Sequence, residues 1–428
     1  MRSAQEIIEI IHGSQQTGNK VGLQNTRRLL EALGLPARIP AVHVAGTNGK
    51  GSVCAMLERI LRCAGLRTGL YTSPFLQAYP ERIRLNGEPI SDAVLERYGN
   101  PLVEVSARLA REEDIHATPF EHGTALALSV FAGEQVDIAV VEVGLGGRLD
   151  PTNVIVPDVC AITAIGLDHM HTLGDTVEAI AGEKAGIIKP GTPVVCQPAV
   201  PSVEAVFAAA AARQGAPLLQ LQEEMLLRSE CDARGSVASY QLGGTRWENL
   251  RLSLPGEHQL QNAMTVLGVV EQLREMGWRI PDEAVRQGLA TTVWPARLEW
   301  CGNVLIDGAH NAHGVTALRR FVLNHLADRR RVLVSGVLKD KLTPEMLDVL
   351  KDLAPVAFTV TPDSYRALDA EDYAAGLRSV GVAAVSCGTL DEALRQAREA
   401  AGAEGVVIAC GSLYFAGETR NALGLSWR

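Results

Sequence analysis

A chain of 428 residues is too long for one hydrophobic core, and with 47 % of its residues hydrophobic it can fill two or three. The formal net charge of −9 excludes a general nucleic-acid surface, which would have to neutralise phosphates, and no apolar run reaches the length of a membrane span. The start, Met1-Arg2-Ser3-Ala4-Gln5-Glu6, has no charged-then-apolar leader, and the eight cysteines form no C-x-x-C pair, so a cytoplasmic protein with reduced cysteines and no membrane partner is expected.

The apolar run 41–45 predicts the first strand. It leads into Gly46-Thr47-Asn48-Gly49-Lys50-Gly51-Ser52, after which Val53, Leu57, Ile60, Leu61 and Ala64 fall on one helix face. Strand, glycine-rich turn and helix in that order make a phosphate-binding loop. Backbone N–H groups converge on an anion, the helix dipole adds positive potential, and Lys50 supplies a mobile charge. The spacing departs from the common G-x-x-x-x-G-K-[ST] form, with Val44 at the first glycine and Gly51 at the hydroxyl position. A turn capped by Thr47 or Asn48 would need neither three glycines nor a lysine, so ATP or GTP is expected here.

Further strands are predicted at 68–72, 137–143, 159–165 and 193–197, several of them nearly continuous apolar runs of the kind that parallel sheets bury on both faces. The alanine-rich stretch 205–212 reads as a helix. Segment 218–254 is polar and turn-rich, which predicts short antiparallel strands, and a helical period returns over 259–276. Pro295 interrupts the chain, and a second alternation follows with strands at 304–307, 332–335, 357–360, 383–386 and 406–409. The expected fold is therefore α/β. Residues 1–295 form a P-loop ATPase-type parallel-sheet domain with a small antiparallel β segment, and residues 296–428 form a Rossmann-like domain. The second domain lacks G-x-G-x-x-G, so no dinucleotide is expected.

Among residues able to carry chemistry, Glu142 ends the apolar run Ile138-Ala139-Val140-Val141, where a carboxylate is costly without a cation; a triphosphate would bring Mg²⁺. Gly147-Arg148-Leu149-Asp150-Pro151-Thr152-Asn153 gathers a guanidinium, a carboxylate and an amide, which suits a polar substrate or an ordinary turn. Asp168-His169 and Asp307-Gly308-Ala309-His310-Asn311 each follow a strand end. His169-Met170-His171 is too small a donor set for zinc, and Lys184 reads by itself as a solvated helix charge.

With GTNGKGS at 46–52, ERIRLNGEPIS at 81–91, VVEVGLGGRLDPTN at 140–153, LDH at 167–169, EKAGIIKPG at 183–191, LPGEHQLQNA at 254–263, DGAHN at 307–311 and GSLYF at 411–415, the chain resembles the folylpolyglutamate synthase/dihydrofolate synthase family of Mur ligases over nearly its whole length. The resemblance implies that Thr47, Asn48, Gly49, Lys50, Gly51, Ser52, Asn262, Arg297 and Asp307 contact ATP between the domains. It implies that Ser73, Glu142, His169 and a carbamylated Lys184 hold two Mg²⁺ ions. Thr118, Pro119, Phe120, Glu121, Leu149, Asp150 and Pro151 would meet the folate, and His310 and Ser412 the incoming glutamate. Lys50, Lys184 and His310 are the implied catalytic residues.

The implied reaction is ATP-dependent amide formation between a folate and L-glutamate through an acyl phosphate, by a monomer. Two departures fall on the expected pterin side: Phe75 in Thr72-Ser73-Pro74-Phe75-Leu76, where the family often has histidine, and Lys20-Val21-Gly22-Leu23-Gln24-Asn25, where it has an acidic pattern. Extension of reduced folates is therefore expected first, with dihydropteroate as a second acceptor to test. The alternatives are another Mur-type amide ligase, which usually carries an additional N-terminal domain, and a P-loop ATPase that hydrolyses without an amino acid.

Overall fold

The computed structural model describes residues 1–14, 22–36 and 38–426. The chain divides into two compact units, one of Met1–Arg228, Ser239–Leu250 and Gln261–Thr292, the other of Ser229–Ala238, Arg251–Leu260 and Val293–Arg428. Lys20 and Val21 of the N-terminal departure lie outside the described residues.

In the first unit β1 (Ala41–Ala45), β2 (Thr68–Tyr71), β3 (Ile83–Leu85), β4 (Glu88–Pro89), β5 (Ile138–Glu142), β6 (Val159–Ile162), β7 (Val194–Cys196) and β8 (Leu218–Gln220) form one sheet in the order β4-β3-β2-β5-β1-β6-β7-β8. Every pairing from β2 to β8 is parallel, while β3 and β4 add an antiparallel margin. β1, β2, β5 and β6 are buried at every residue, as their apolar runs require once helices cover both faces. Helix Pro119–Gly133 lies so close to β2 that a Cβ on Gly69 would stand 2.6 Å from Phe131 Cδ1. Phe131 is fully enclosed there, a burial contributing about 1.5–3 kcal/mol.

The strand Leu218–Gln220 corrects the reading of 218–254 as wholly antiparallel. It pairs parallel with β7, Val194 opposite Leu218, because helix Pro201–Gln214 supplies the crossover that a parallel partner needs. The remainder of the segment is the expected meander, with β9 (Leu226–Asp232), β10 (Gly235–Leu242) and β11 (Thr245–Leu252) in the order β11-β10-β9.

In the second unit β12 (Glu299–Cys301), β13 (Val304–Ile306), β14 (Arg331–Ser335), β15 (Val356–Thr359), β16 (Ala383–Ser386) and β17 (Val406–Cys410) form a sheet in the order β12-β13-β17-β14-β15-β16. All its pairings are parallel except β12 with β13, where Glu299 opposes Ile306. Its core joins Leu305, Leu333 and Ile408 of the strands to Leu318, Phe321, Leu350 and Tyr373 of the helices. Among the described residues no helix is long and apolar enough to cross a membrane, and all eight cysteines are free.

Candidate active site

β2, β5, β1 and β6 lie side by side, so the segments that follow Tyr71, Glu142, Ala45 and Ile162 leave from one end of the sheet. That is the carboxyl end, where open α/β sheets bind ligands at the point of strand reversal. Four of the motifs singled out in the sequence are brought together there by topology alone.

The phosphate loop has two glycines in backbone regions that L side chains avoid, Gly46 at φ 150° and Gly49 at φ 89°. A Cβ at 46 would stand 1.8 Å from Thr163 Oγ1 and one at 49 would stand 2.5 Å from Asn262 Oδ1. The N–H groups of Thr47 and Asn48 both donate to Ala164 O, at 2.8 and 3.3 Å, and Thr163 Oγ1 donates to Asn48 O at 2.7 Å. These residues fasten the loop to the segment after β6. The N–H groups at the start of helix Lys50–Cys63, those of Lys50 and Gly51, precede the bond from Val53 N–H to Gly49 O, and a helix start of this kind is suited to an anion. Lys50 Nζ donates to Gly46 O (3.1 Å) and Thr47 O (3.2 Å) across the turn that it closes. Asn262, on helix His258–Glu275, is held against this loop by Gln197, whose Nε2 donates to Asn262 Oδ1 at 3.2 Å. Gln197 follows β7, and no motif marked it in the sequence.

Glu142 is buried as the last residue of β5, beside Val44 of β1, and accepts from Ser73 N–H at 3.1 Å. Lys184 is buried at the end of helix Val177–Lys184. Burial, reinforced by the Lys50 charge and opposed by Asp168 and Asp150, pushes its ammonium down to about 7. His169 stands at φ 52° before a short helix, half-exposed, its Nε2 3.9 Å from Asp168 Oδ1. Among the described residues no three His, Cys, Asp or Glu side chains could hold a metal by themselves. Magnesium does not need such a cage: it takes one or two carboxylates and completes its octahedron with phosphate and water. The oxygen donors Glu142 and Ser73 fit that chemistry, the imidazole of His169 less well.

The two glycine-rich segments 143–150 and 183–187 interlock. A Cβ on Gly147 would meet Glu183 O at 2.7 Å and Lys184 Cα at 3.0 Å, and one on Gly186 would meet Arg148 Cβ at 2.5 Å. Arg148 N–H donates to Glu183 O (2.9 Å), and Asn153 Nδ2 donates to both Arg148 O (2.9 Å) and Gly186 O (3.1 Å). Asp150 is buried and accepts from Leu145 N–H at 2.8 Å and Thr152 N–H at 3.0 Å, so its carboxylate holds the loop and caps the short helix Pro151–Val154. Burial raises its pKa.

Thr118 and Glu121 form the capping box of helix Pro119–Gly133, with Thr26 Oγ1 also donating to Glu121 Oε1 at 3.3 Å. Pro119 is the first residue of that helix. What this region offers outward is the exposed side chains of Phe120 and Leu149. Against Phe120 stands a group that the sequence reading missed: the Arg82 guanidinium lies over the rings of Phe75, Tyr79 and Phe120 at 5.3, 5.6 and 5.8 Å, with His12 stacked on Phe75. Phe75 is thus an aromatic wall, and only long-range packing reveals it.

In the second unit Asp307 follows β13 and Ser412 follows the neighbouring β17. β12 runs antiparallel to β13, which returns Arg297 to the carboxyl end of that strand. Asp307 is buried, its carboxylate accepting from Leu298 N–H (2.9 Å) and Ala309 N–H (2.8 Å); burial raises its pKa and the Arg297 charge opposes the rise. His310 Nδ1 lies 2.8 Å from Gly308 O, and Ser412 Oγ accepts from Phe415 N–H at 3.0 Å as the cap of helix Leu413–Ala422.

Residues 44–270 match the family described as the Mur ligase middle domain, and residues 296–413 the Mur ligase, glutamate ligase domain. The chain is 38 % identical over 421 residues to the dihydrofolate synthase/folylpolyglutamate synthase of Bacillus subtilis (strain 168), which covers 96 % of this chain and 97 % of the relative. It is 35 % identical over 432 residues to the folylpolyglutamate synthase of Lacticaseibacillus casei, covering 98 % of each. The fold is similar to that of Mycobacterium tuberculosis folylpolyglutamate synthase complexed with ADP and AMPPCP, with a TM-score of 0.90, 34 % identity and 99 % of both chains covered. By sequence over its full length and by fold, the chain belongs to the folylpolyglutamate synthase/dihydrofolate synthase family of Mur ligases.

Proposed function

We propose that this chain is an ATP-dependent ligase that joins L-glutamate to a folate. The observation that carries this reading is the arrangement of Lys50, Glu142 and Lys184 around the carboxyl ends of β1 and β5, in a chain whose relatives are named for that activity. Residues 1–295 take ATP and the folate, and residues 296–428 take glutamate. The enzyme acts as a cytoplasmic monomer without nucleic acid.

A carboxylate is a poor electrophile because oxide would have to leave. An oxygen of the folate γ-carboxylate therefore attacks the γ-phosphorus of ATP; the new O–P bond forms as the bridging P–O bond breaks, and ADP departs. The amine of glutamate then attacks the acyl carbon, the C–N bond forms, the amine loses its proton, and phosphate leaves. Gly49, Lys50, Gly51 and Ser52, with Thr47 and Asn48 behind them, hold the phosphates by the helix start and one ammonium. This places fixed positive charge where negative charge spreads in transfer. Asn262 adds a further nucleotide contact within the first unit.

Ser73 and Glu142, with His169, would hold Mg²⁺, whose chemistry is neutralisation of phosphate charge. Lys184, near half-neutral at physiological pH, can add carbon dioxide to become a carbamate and a further oxygen donor. Phe120 and Leu149 present the apolar surface to the folate, on a frame of Thr118, Pro119, Glu121, Asp150 and Pro151. His310 and Ser412 receive glutamate.

The test is ADP release with a reduced folate, dihydropteroate and glutamate supplied singly and together. Release that requires both glutamate and a folate supports the ligase; release without either would make the chain a simple ATPase. The dihydropteroate arm decides whether it also makes dihydrofolate.

A further inference from the structure

His43 is an unusual occupant of the middle of β1: it is completely buried, and its Nδ1 has no hydrogen-bond partner among the described residues. An orphaned polar atom of this kind carries an uncompensated desolvation cost that a leucine would not incur. Its other nitrogen, Nε2, lies 2.9 Å from Thr152 Oγ1, and Thr152 Oγ1 in turn donates to Asp150 Oδ1. A hydroxyl has one proton, and this one is committed to Asp150, so Thr152 must accept from His43. The ring therefore carries its hydrogen on Nε2 and leaves Nδ1 bare. Asp150 passes the restraint on, accepting from Leu145 N–H at 2.8 Å and from Thr152 N–H at 3.0 Å.

We infer that His43 and Thr152 are positioning residues, and that the buried chain His43–Thr152–Asp150 fixes the loop 144–150 to the same strand that delivers the phosphate loop. The loop so fixed carries the exposed Leu149 and rests through Gly147 on the backbone of Lys184. The chain thus sets the face offered to the acceptor without touching it. That last step rests on the proposed ligase reading; the chain itself does not.

The test compares His43→Leu, His43→Gln, His43→Asn, Thr152→Val and Thr152→Ser. Glutamine places an N–H as many bonds from Cα as Nε2, whereas asparagine places it at Nδ1. Amide exchange at Leu145 should quicken roughly tenfold in the leucine, asparagine and valine variants and stay near wild type in the glutamine and serine variants. The KM for reduced folate should rise roughly tenfold in the first three while the KM for ATP holds. Should His43→Leu fail to fold, Thr152→Val reports on the same bond.

Unchanged exchange at Leu145 in the leucine and valine variants, glutamine no better than asparagine, or ¹⁵N ring shifts placing the proton on Nδ1 would each overturn the assignment. Exchange and ring shifts answer even if folate proves not to be the acceptor, so failure of the chain and failure of the ligase reading remain distinct.

Discussion

Gly49 faces Asn262 so closely that a Cβ at 49 would lie 2.5 Å from the amide oxygen, and its φ of 89° would strain any other residue. Backbone strain and steric conflict act together at the residue that starts the phosphate-facing helix. Gly49→Ala should weaken ADP binding by roughly tenfold or more, measured calorimetrically, while the far-UV circular dichroism is retained. Undiminished affinity would remove this loop from the nucleotide site.

Lys50→Ala should lower the rate of glutamate-dependent ADP release by about 10²–10³, the scale of removing one charge-stabilising group, with little change in melting temperature because, among the described residues, Nζ bonds to Gly46 O and Thr47 O of its own loop. A variant of near-normal kcat would refute its role at the transferred phosphate.

Glu142→Ala should cut turnover by about 10² or more and raise the magnesium concentration needed for half-maximal rate. Normal turnover at saturating magnesium would contradict the role given to this carboxylate.

Carbamylation of Lys184 predicts a carbamate ¹³C signal when the protein is equilibrated with ¹³C-bicarbonate, absent in Lys184→Arg. The amine is available for it because burial, helped by Lys50, has brought its pKa to about 7. A wild-type spectrum without that signal under turnover conditions would count against it.

Acid should destabilise the fold through two buried histidines, His43 and His122, and the partly buried His258. Burial lowers His43 to about 3 and His122 and His258 to about 4, the last helped by Arg297, His313 and Arg320, against an ordinary 6.5. Below 6.5 the unfolded chain takes up protons that the folded chain refuses, so stability present above that pH is lost as pH falls through the folded values. Each histidine contributes at most about 1.4 kcal/mol per pH unit. His43→Gln should show a shallower fall of urea midpoint between neutrality and about pH 5 than wild type; an identical slope would contradict the burial of a neutral ring.

The strands expected at 41–45, 137–143 and 159–165 and the glycine-rich segment 46–52 are legible because their signals are local, namely period, burial on both faces and turn chemistry; the structure ends the second and third strands earlier, at Glu142 and Ile162. Strand 218–220 is parallel where the local sequence predicts antiparallel pairing, because pairing direction depends on the crossover before it, and β3, β4 and β12 are too short to carry a period. The roles of Arg82 and Gln197 are not legible for a similar reason: nothing near them in sequence says what they will face.

By itself, the order of residues determined an α/β chain with a phosphate loop, a set of polar segments at strand ends and membership of a ligase family, since propensity, spacing and motif are properties of neighbours along the chain. Only the tertiary structure decided that Asn262 closes on Gly49, that Asp150 and Glu121 are occupied by backbone N–H groups, and that Lys184 is enclosed beside the Lys50 charge. Desolvation and hydrogen-bond partnership belong to distances across space, and those exist only once the sheet has ordered its strands.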